Sequence, residues 1–307
     1  MSVKKPAGWV VHAALLLVAL IYGFNYSIAK LVIPHYLEPS SVILLRVAAV
    51  SLLLGLWHIG RGTPLSIEPA HRLRLVVCAL LGVVLNQLLF FEGLARTTAT
   101  NASVIMTMSP IFVLLFSLLM GLEKPTFRRM TGIFLGGLGG YVLITQGQWA
   151  LQQANVWGDL MVLGNALSYS AYLVLVKPLM RRYHPLVVMF YLFTIGIIGV
   201  FPFGYKGLYA AEWQQLPWFV FASVAYVVLA TTLTAYSLNA WALQYTHASV
   251  VGFYIYFQPL VAATLDLWQG KASLTVYTVM AALLIFTGVF LVSIQKSTKN
   301  APLVKKG

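Results

Sequence analysis

The sequence predicts an all-α integral membrane protein in which ten transmembrane helices form two inverted five-helix repeats. Three observations predict this fold: the composition, the spacing of the apolar runs and an internal repeat. Hydrophobic residues make up 60% of the 307 residues and charged residues only 9%, against roughly 25% charged residues in an average soluble chain. So few charges cannot cover a water-soluble surface, and lipid must therefore surround most of the chain.

Apolar runs of about 20 residues, the length that crosses a bilayer as a helix, follow one another along the chain. Proline and glycine residues mark the breaks between them. The predicted spans are 9–33, 40–59, 75–95, 101–121, 130–146, 157–177, 185–205, 217–243, 248–268 and 274–294. The first run follows Lys4 and Lys5, as in a signal peptide, but it is long enough to span, and we expect a retained first helix. The short connections leave no room for a soluble domain.

Positive charge in short loops stays on the cytoplasmic side of a membrane. With the N-terminus inside, the inner segments carry fifteen Lys and Arg residues and the outer segments four. The sequence therefore predicts cytoplasmic termini and a multi-pass protein of the cell (inner) membrane. The net charge of +13 is spread over many loops, which argues against a nucleic-acid partner. Cys78 stands alone, so we expect no internal disulfide and no cysteine metal cluster.

The chain also repeats itself at an offset of 149 residues. Seven residues of the first half recur at this offset: Leu94, Thr97, Ala99, Pro110, Gly121, Thr126 and Gly139 meet Leu243, Thr246, Ala248, Pro259, Gly270, Thr275 and Gly288. Each half holds five predicted helices, an odd number, so the second half enters the membrane from the opposite side. The predicted units are a first repeat 1–147, a second repeat 148–297 and a cytoplasmic tail 298–307.

Inverted repeats are typical of secondary transporters, whose substrate site lies near the midplane at interrupted helices. Pro110 and Pro259 form a matched pair near the middle of helices four and nine. Each proline leaves the carbonyl four residues earlier without its donor, here those of Met106 and Ile255. Such a carbonyl usually faces protein or a wet cavity, although a simple packing kink is the alternative.

Several short motifs resemble the EamA-like family of the drug/metabolite transporter superfamily. They are Tyr22-Gly23-Phe24-Asn25 with Ala29-Lys30, Arg46, Leu94 to Ser103 leading to Pro110, Glu123-Lys124-Pro125, Gly158-Asp159-Leu160, Ala171-Tyr172, and Tyr236 with Trp241-Ala242-Leu243 running to Ala248-Ser249 and Pro259. The resemblance implies a ten-helix carrier that moves a small organic metabolite, often outward, by alternating access. It also implies that helices five and ten stand aside from the cavity. Tyr22 departs from the tryptophan frequent in that family, and Gly270-Lys271 from its Gly-Glu pair.

Uncharged polar residues inside the spans are the candidates for substrate binding, because a polar group in lipid is costly without a use. Some recur at helical spacing, as in the stripe Asn165, Ser168, Tyr169 and Tyr172. The candidate substrate-binding residues are Tyr22, Asn25, Asn86, Gln87, Asn101, Ser109, Asn165, Tyr169, Tyr172, Tyr236, Asn239, Tyr256 and Gln258. Hydrogen bonds between helices, worth about 0.6 kcal/mol each on average, are the alternative use.

Three charged residues near the outer ends of spans are candidates for gating or ion coupling: Arg46, Glu92 and Asp266. Arg46 and Glu92 lie at similar depth, which predicts an ion pair that opens or closes with the outer gate. A static pair, or side chains that reach to the interface, is the alternative. Glu92 is the candidate for a coupling proton, because burial favours the protonated form of a carboxylate.

Glycines also recur every fourth residue on predicted helix five, at Gly132, Gly136 and Gly140. Small residues at this spacing let helices approach closely. The pattern favours packing within the chain, and a homodimer seam through helix five is the alternative.

The cargo that these residues favour is neutral or zwitterionic, such as an amino acid, moved out of the cell by a protein that is not an enzyme. A phosphorylated-sugar or nucleotide-sugar carrier is the alternative, but phosphate prefers several cationic donors and only Arg46 lies well inside a span. An intramembrane aspartyl protease using Asp159 and Asp266 is more remote, because both lie at helix ends. The sequence lacks a glycine-rich phosphate loop and paired metal ligands, so we expect neither an ATP motor nor a cofactor.

Overall fold

The computed structural model describes residues 6–62, 64–122, 126–145, 155–246, 251, 254–270 and 275–293. Motif residues 123–125 and 248–249 and the predicted tail 298–307 lie outside these ranges. Within them the chain is helical and contains no strand. The helices are α1 (Gly8–Val32), α2 (Pro39–Arg61), α3 (Pro69–Arg96), α4 (Ala99–Leu119), α5 (Phe127–Thr145), α6 (Val156–Arg182), α7 (Pro185–Ala210), α8 (Trp218–Tyr245), α9 (Phe257–Trp268) and α10 (Val276–Ser293).

Seven of these helices, α1–α4 and α6–α8, are long and apolar enough to cross a membrane. Shorter apolar stretches, Met130–Val142 and Val276–Gly288, lie in α5 and α10. Helix α3 begins at Pro69, six residues before the predicted start of its span. Its first turns carry exposed polar residues that a search for apolar runs does not include, and proline is favoured in a first helical turn because its missing N–H is not needed there.

Two helices contain wider π-helical turns at matching places in the two halves. They lie at Leu80–Leu85 in α3 and Val227–Thr234 in α8, and the first range moved by 149 residues falls inside the second. A π turn disturbs the regular backbone ladder, and side-chain donors reach the carbonyls here. Ser168 Oγ donates to the Leu81 carbonyl over 2.7 Å, and Asn165 Nδ2 donates to the Asn86 carbonyl over 2.6 Å.

The predicted helix interruptions occur next to both prolines. Helix α4 breaks between Met106 and Ser109, and a 3-10 turn, Tyr254–Tyr256, precedes α9. Ser109 Oγ donates a 2.7 Å hydrogen bond to the Met106 carbonyl, which Pro110 cannot serve because it lacks an N–H. The orphaned carbonyl that the sequence predicts is therefore satisfied by the residue just before the proline.

Helices α5 and α10 pack mainly against each other through a symmetric pair of glycines. A Cβ at Gly139 would lie 2.9 Å from the Ala281 carbonyl oxygen, and a Cβ at Gly288 would lie 2.6 Å from the Gly132 carbonyl oxygen. Positions 132 and 139 correspond to positions 281 and 288 under the 149-residue offset, so the two contacts are equivalent in the repeat. Gly136 and Gly140 instead face side chains of α4, so the glycines of α5 serve packing within the chain. The homodimer seam stays a prediction.

The remaining helices pack in pairs around a central space. Helix α2 packs along α7, α3 along α6, and α1 along α9 and α8, while α4 contacts α6 and α9. Close approach needs glycine at several crossings: a Cβ at Gly204 of α7 would lie 2.5 Å from the Ser40 carbonyl oxygen of α2. This arrangement brings helices of both halves to the walls of one cavity.

Candidate functional site

A cavity lies in the middle of the bundle, with residues of both halves of the chain in its lining. Its apolar wall consists of Leu15, Val18, Ala19, Phe90, Met106, Val251 and Ile255. Its polar wall consists of Tyr22, Asn25, Tyr26, Arg46, Asn86, Gln87, Asn165, Tyr169, Tyr236, Asn239, Tyr254 and Gln258. An apolar wall carrying a few convergent polar groups is the usual build of a site that binds a small organic molecule.

Most of the residues that the sequence selects for substrate binding line this cavity. They are Tyr22, Asn25, Asn86, Gln87, Asn165, Tyr169, Tyr236, Asn239 and Gln258. Asn101, Ser109 and Tyr172 do not line it. The side chains of Tyr256 and Asp266 lie outside the part of the chain that the structure describes.

Those three residues lie elsewhere because other parts of the protein engage them. The Asn101 amide donates to Asp159 over 3.4 Å, and Ser109 donates to the Met106 carbonyl. The Tyr172 ring packs on α3 so closely that a Cβ at Gly82 would lie 2.4 Å from it. In this structure all three lie outside the cavity lining, and their part in substrate binding stays a prediction.

Two tyrosines line the cavity without having been predicted. Tyr26 donates its hydroxyl to Gln258 Oε1 over 3.1 Å, and it lies one helical turn beyond Tyr22, a spacing that could have shown it. The Tyr254 hydroxyl lies 2.8 Å from His12 Nδ1, so these two side chains link α1 to the segment before α9.

At the centre of the cavity wall, three side chains form a hydrogen-bonded chain. Gln87 Nε2 donates to the Tyr236 hydroxyl over 3.1 Å. The Tyr236 hydroxyl in turn donates to Asn86 Oδ1 over 3.3 Å. Gln87 and Tyr236 are 149 residues apart, so they are equivalent positions of the sequence repeat. Residues related by a two-fold axis touch each other only near that axis, and an inverted repeat has its axis in the membrane plane.

Arg46 lies in the cavity wall, 4% exposed. Its Nε donates to Thr232 Oγ1 over 2.8 Å, and its guanidinium carbon lies 5.1 Å from the centre of the Phe91 ring. The predicted pair with Glu92 does not form, because the Glu92 carboxylate bonds Arg96 one helical turn further along α3. Among the described residues, no carboxylate forms a salt bridge with Arg46.

Three amide oxygens in the cavity wall accept no hydrogen bond from the described residues. They belong to buried side chains: Asn25 Oδ1, Gln87 Oε1 and Asn165 Oδ1. The amide orientations of Gln87 and Asn165 follow from their own donor bonds, to Tyr236 and to the Asn86 carbonyl. An unsatisfied buried acceptor is costly, and in this state of the cavity these oxygens are buried rather than exposed to its interior.

The two ends of the bundle are tied together differently. Where α3 ends and α6 begins, Asp159 is 2% exposed and accepts hydrogen bonds from Thr97 Oγ1 and Asn101 Nδ2. At the opposite end, Glu68 bonds Arg182 over 2.6 Å on the surface, and this hydrogen bond holds the pKa of the Glu68 carboxyl below its usual range. The Asp159 hydrogen bonds are buried, whereas the Glu68–Arg182 pair is on the surface, where an ion pair contributes little to stability.

A bundle of membrane-length apolar helices around a polar cavity is typical of membrane transporters. The model of the EamA-like transporter family matches residues 9–145 and 156–294, and the chain belongs to this family. It is therefore a multi-pass membrane protein.

Relatives with similar sequences carry transporter names. The chain is 26% identical over 281 residues to an uncharacterised transporter of Archaeoglobus fulgidus, covering 91% of this chain and 96% of the relative. It is 27% identical to the uncharacterised inner membrane transporter YhbE of Escherichia coli, covering 84% and 80%. A WAT1-related protein of Arabidopsis thaliana is 22% identical, covering 94% and 84%. A solved crystal structure has the same fold, with a TM-score of 0.64 over 93% of this chain and 98% of that chain at 17% identity.

Proposed function

We propose that the protein is a secondary transporter, independent of ATP, that exports a small organic metabolite by alternating access. The cargo is an amino acid or a similar zwitterionic or neutral compound, and the membrane is the inner membrane of the cell. The observation that carries this proposal is the central cavity, in which buried amides, phenols and one guanidinium from both halves of the chain face each other. Polar groups buried in a membrane protein usually mark the substrate path.

The proposed architecture has ten spans in two inverted repeats, 1–147 and 148–297, with both termini cytoplasmic. Helices α5, α9 and α10 then cross the membrane beside the seven longer ones. The matched π turns of α3 and α8, the matched interruptions before Pro110 and Pro259 and the reciprocal glycine contacts of α5 and α10 support the repeat. The contact between Gln87 and Tyr236 then lies on the axis, at the depth where inverted-repeat carriers hold their substrate.

In this proposal the structure represents a state closed at the Asp159 end. The buried carboxylate joins the start of α6, in the second half, to Thr97 and Asn101 in the first. Opening toward that end requires these bonds to break, while the opposite end, at Glu68 and Arg182, closes. With the N-terminus inside, the Asp159 end faces outward, so the buried bonds of Asp159 form the outer closure in this proposal.

The lining favours a metabolite over a phosphorylated cargo. Arg46 is the only cationic side chain in the described lining, whereas a phosphoryl group usually takes several charge-assisted donors. Tyrosines and amides suit the polar groups of a small metabolite, and the apolar wall suits its carbon skeleton. The phosphorylated-sugar carrier is therefore the weaker alternative.

An untargeted metabolite profile of the growth medium tests the proposal. Cells that express the wild type are compared with cells that express Asn165→Leu, which removes an amide from the cavity wall and the donor to the Asn86 carbonyl. We expect a few compounds to accumulate with the wild type and to fall at least about tenfold with the variant, since losing one buried polar partner costs about 1–3 kcal/mol.

The matched control is Gln215→Leu, the same type of change at an exposed position outside the cavity. It is expected to export like the wild type. Membrane insertion of each protein is confirmed first. Equal accumulation with Asn165→Leu and the wild type would remove the cavity from the transport path.

A further inference from the structure

We infer that Asp159 is a proton-binding site that controls the outer closure. While its carboxylate is ionised, the start of α6 stays joined to the corner between α3 and α4, and a proton that binds the carboxylate releases it. This inference rests on the proposed transport function, which places the Asp159 end at the outer face. It deepens that function, because it names the ligand that opens this face.

Three parts of the protein meet on Thr97 at this end of the bundle. The Thr97 hydroxyl donates to the Asp159 carboxylate of α6, and the Thr97 carbonyl oxygen accepts from the Lys30 ammonium of α1. Thr97 lies in the corner between α3 and α4 and is 2% exposed. The outer closure therefore joins both halves of the chain through one buried residue, which binds a carboxylate on its side chain and an ammonium on its backbone.

The outer closure uses Asp159 as a hydrogen-bond acceptor at both of its oxygens. One oxygen accepts from the Thr97 hydroxyl, and the other accepts from Asn101 Nδ2 over 3.4 Å. An ionised carboxylate only accepts hydrogen bonds, whereas a protonated one carries an O–H donor of its own. A proton on the oxygen that faces Asn101 sets one donor against another. A proton on the other oxygen forces the Thr97 hydroxyl to turn its hydrogen away.

The charges around Asp159 act in the same direction. The ionised carboxylate and the Lys30 ammonium attract each other across Thr97, and this attraction is strong in a buried place because the dielectric constant is low there. Protonation removes the attraction. Arg96 and Glu92, at the end of α3, are the other charged side chains beside this corner, and they bond each other. The connection 146–155, which leads into α6, contains no charged residue.

The groups around Asp159 favour a proton over a metal ion as the ligand. A metal ion such as Ca²⁺ or Mg²⁺ takes several oxygen ligands, but the Asp159 oxygens face a hydroxyl and an amide that both donate. The nearby Thr97 carbonyl oxygen already accepts from Lys30. In the part of the chain that the structure describes, no group of three or more His, Cys, Asp or Glu residues could hold a metal ion. A proton needs only one carboxylate oxygen.

The opposite end of the bundle does not repeat this site. In the first helices of the two halves the repeat has an offset of 147 residues, at which Lys30 meets Lys177. His12 then takes the position of Asp159, and its Nδ1 lies 2.8 Å from the Tyr254 hydroxyl. Acid removes a negative charge from a carboxylate but adds a positive charge to an imidazole. The two ends of the bundle therefore respond differently to protons.

Distance measurements between two spin labels test the inference on the purified protein in lipid nanodiscs. Leu31→Cys on α1 and Trp157→Cys on α6 place the labels at exposed positions of the outer end, in a Cys78→Ala background. The pH is lowered from about 8 to about 5, a range in which Lys and Arg stay charged. We expect the ratio of longer to shorter distances to rise at least about tenfold, as the loss of a buried hydrogen-bond partner implies.

Variants of the outer closure identify the group that binds the proton. Asp159→Asn keeps one acceptor oxygen and has no group to titrate, so it should show the longer distance in equal proportion at both ends of the pH range. Thr97→Val removes the hydroxyl that donates to Asp159, and it should enlarge the longer population at the higher pH. Glu212→Gln, also a change from acid to amide but at an exposed position outside the closure, should respond to pH like the wild type.

The inference is overturned if the wild type keeps the same ratio of distances over the whole pH range, or if Asp159→Asn keeps the wild-type response. The wild-type measurement does not depend on any variant folding. A failure of the transport proposal looks different: the distances would respond to pH through Asp159, but no compound would accumulate in the medium of expressing cells.

Discussion

Asp159→Leu is expected to lower the free energy of unfolding by about 3 kcal/mol and to abolish most transport. The change leaves Thr97 Oγ1 and Asn101 Nδ2 without their acceptor in a buried place, and each buried group without a partner costs about 1–3 kcal/mol. It also removes the buried hydrogen bonds that join the two halves of the chain at that end of the bundle. The measurement is thermal unfolding of the purified protein together with the metabolite profile of the medium.

Asp159→Asn is the conservative comparison. Its amide oxygen still accepts one hydrogen bond, so most of the stability should return. Transport should recover only partly, because an amide accepts more weakly than a carboxylate. If Asp159→Leu were as stable as the wild type, the buried tie would not hold the two halves together.

Gly288→Leu is expected to have the second large effect, a loss of at least about 3 kcal/mol or failure to insert. A Cβ at this position would lie 2.6 Å from the Gly132 carbonyl oxygen and 2.8 Å from the Gly136 nitrogen. Both atoms belong to the backbone of α5, so the two helices must move apart. Overpacking of a tight contact usually costs 1–3 kcal/mol, and more where nothing can yield.

Gly137→Leu is the matched control for that substitution. Gly137 lies on α5 one position from Gly136, and a Cβ there would meet nothing within 4 Å. It should be tolerated, with a Tm near that of the wild type. Equal Tm values for both variants would contradict the close packing of α5 against α10.

The sequence predicts much of the fold because membrane solvation leaves a strong pattern in the residues themselves. Long apolar runs and the breaks between them mark the helices, and Pro110 marks an interruption that the structure contains. The π turns of α3 and α8 could not be predicted, since their residues are as apolar as their neighbours. The π turn of α3 receives side-chain hydrogen bonds from Ser168 and, at its end, Asn165 of another helix, whereas that of α8 receives them from its own Thr231 and Thr232.

The site was predicted less completely for a related reason. Helical spacing shows which polar residues share a face, but not whether that face meets a cavity or another polar group. Asn101 and Ser109 donate hydrogen bonds to other groups of the protein, which only the three-dimensional structure shows. The predicted pair of Arg46 and Glu92 is absent from this structure, in which Arg46 donates to Thr232 and Glu92 bonds Arg96; depth in the membrane, on which the prediction rests, does not give the direction around the helix.

The central claim is that one cavity opens alternately to the two faces of the membrane, and side-specific thiol labelling tests it most directly. Ala19→Cys places a small reporter in the cavity wall, in a Cys78→Ala background that removes the chain's single native thiol. A membrane-impermeant maleimide is applied to right-side-out and to inside-out vesicles, and Arg61→Cys in the same background reports the sidedness of each preparation. The proposal predicts that the reporter at position 19 is labelled from both faces, while the one at position 61 is labelled only from the cytoplasmic face. Labelling of position 19 from one face alone would contradict alternating access through this cavity.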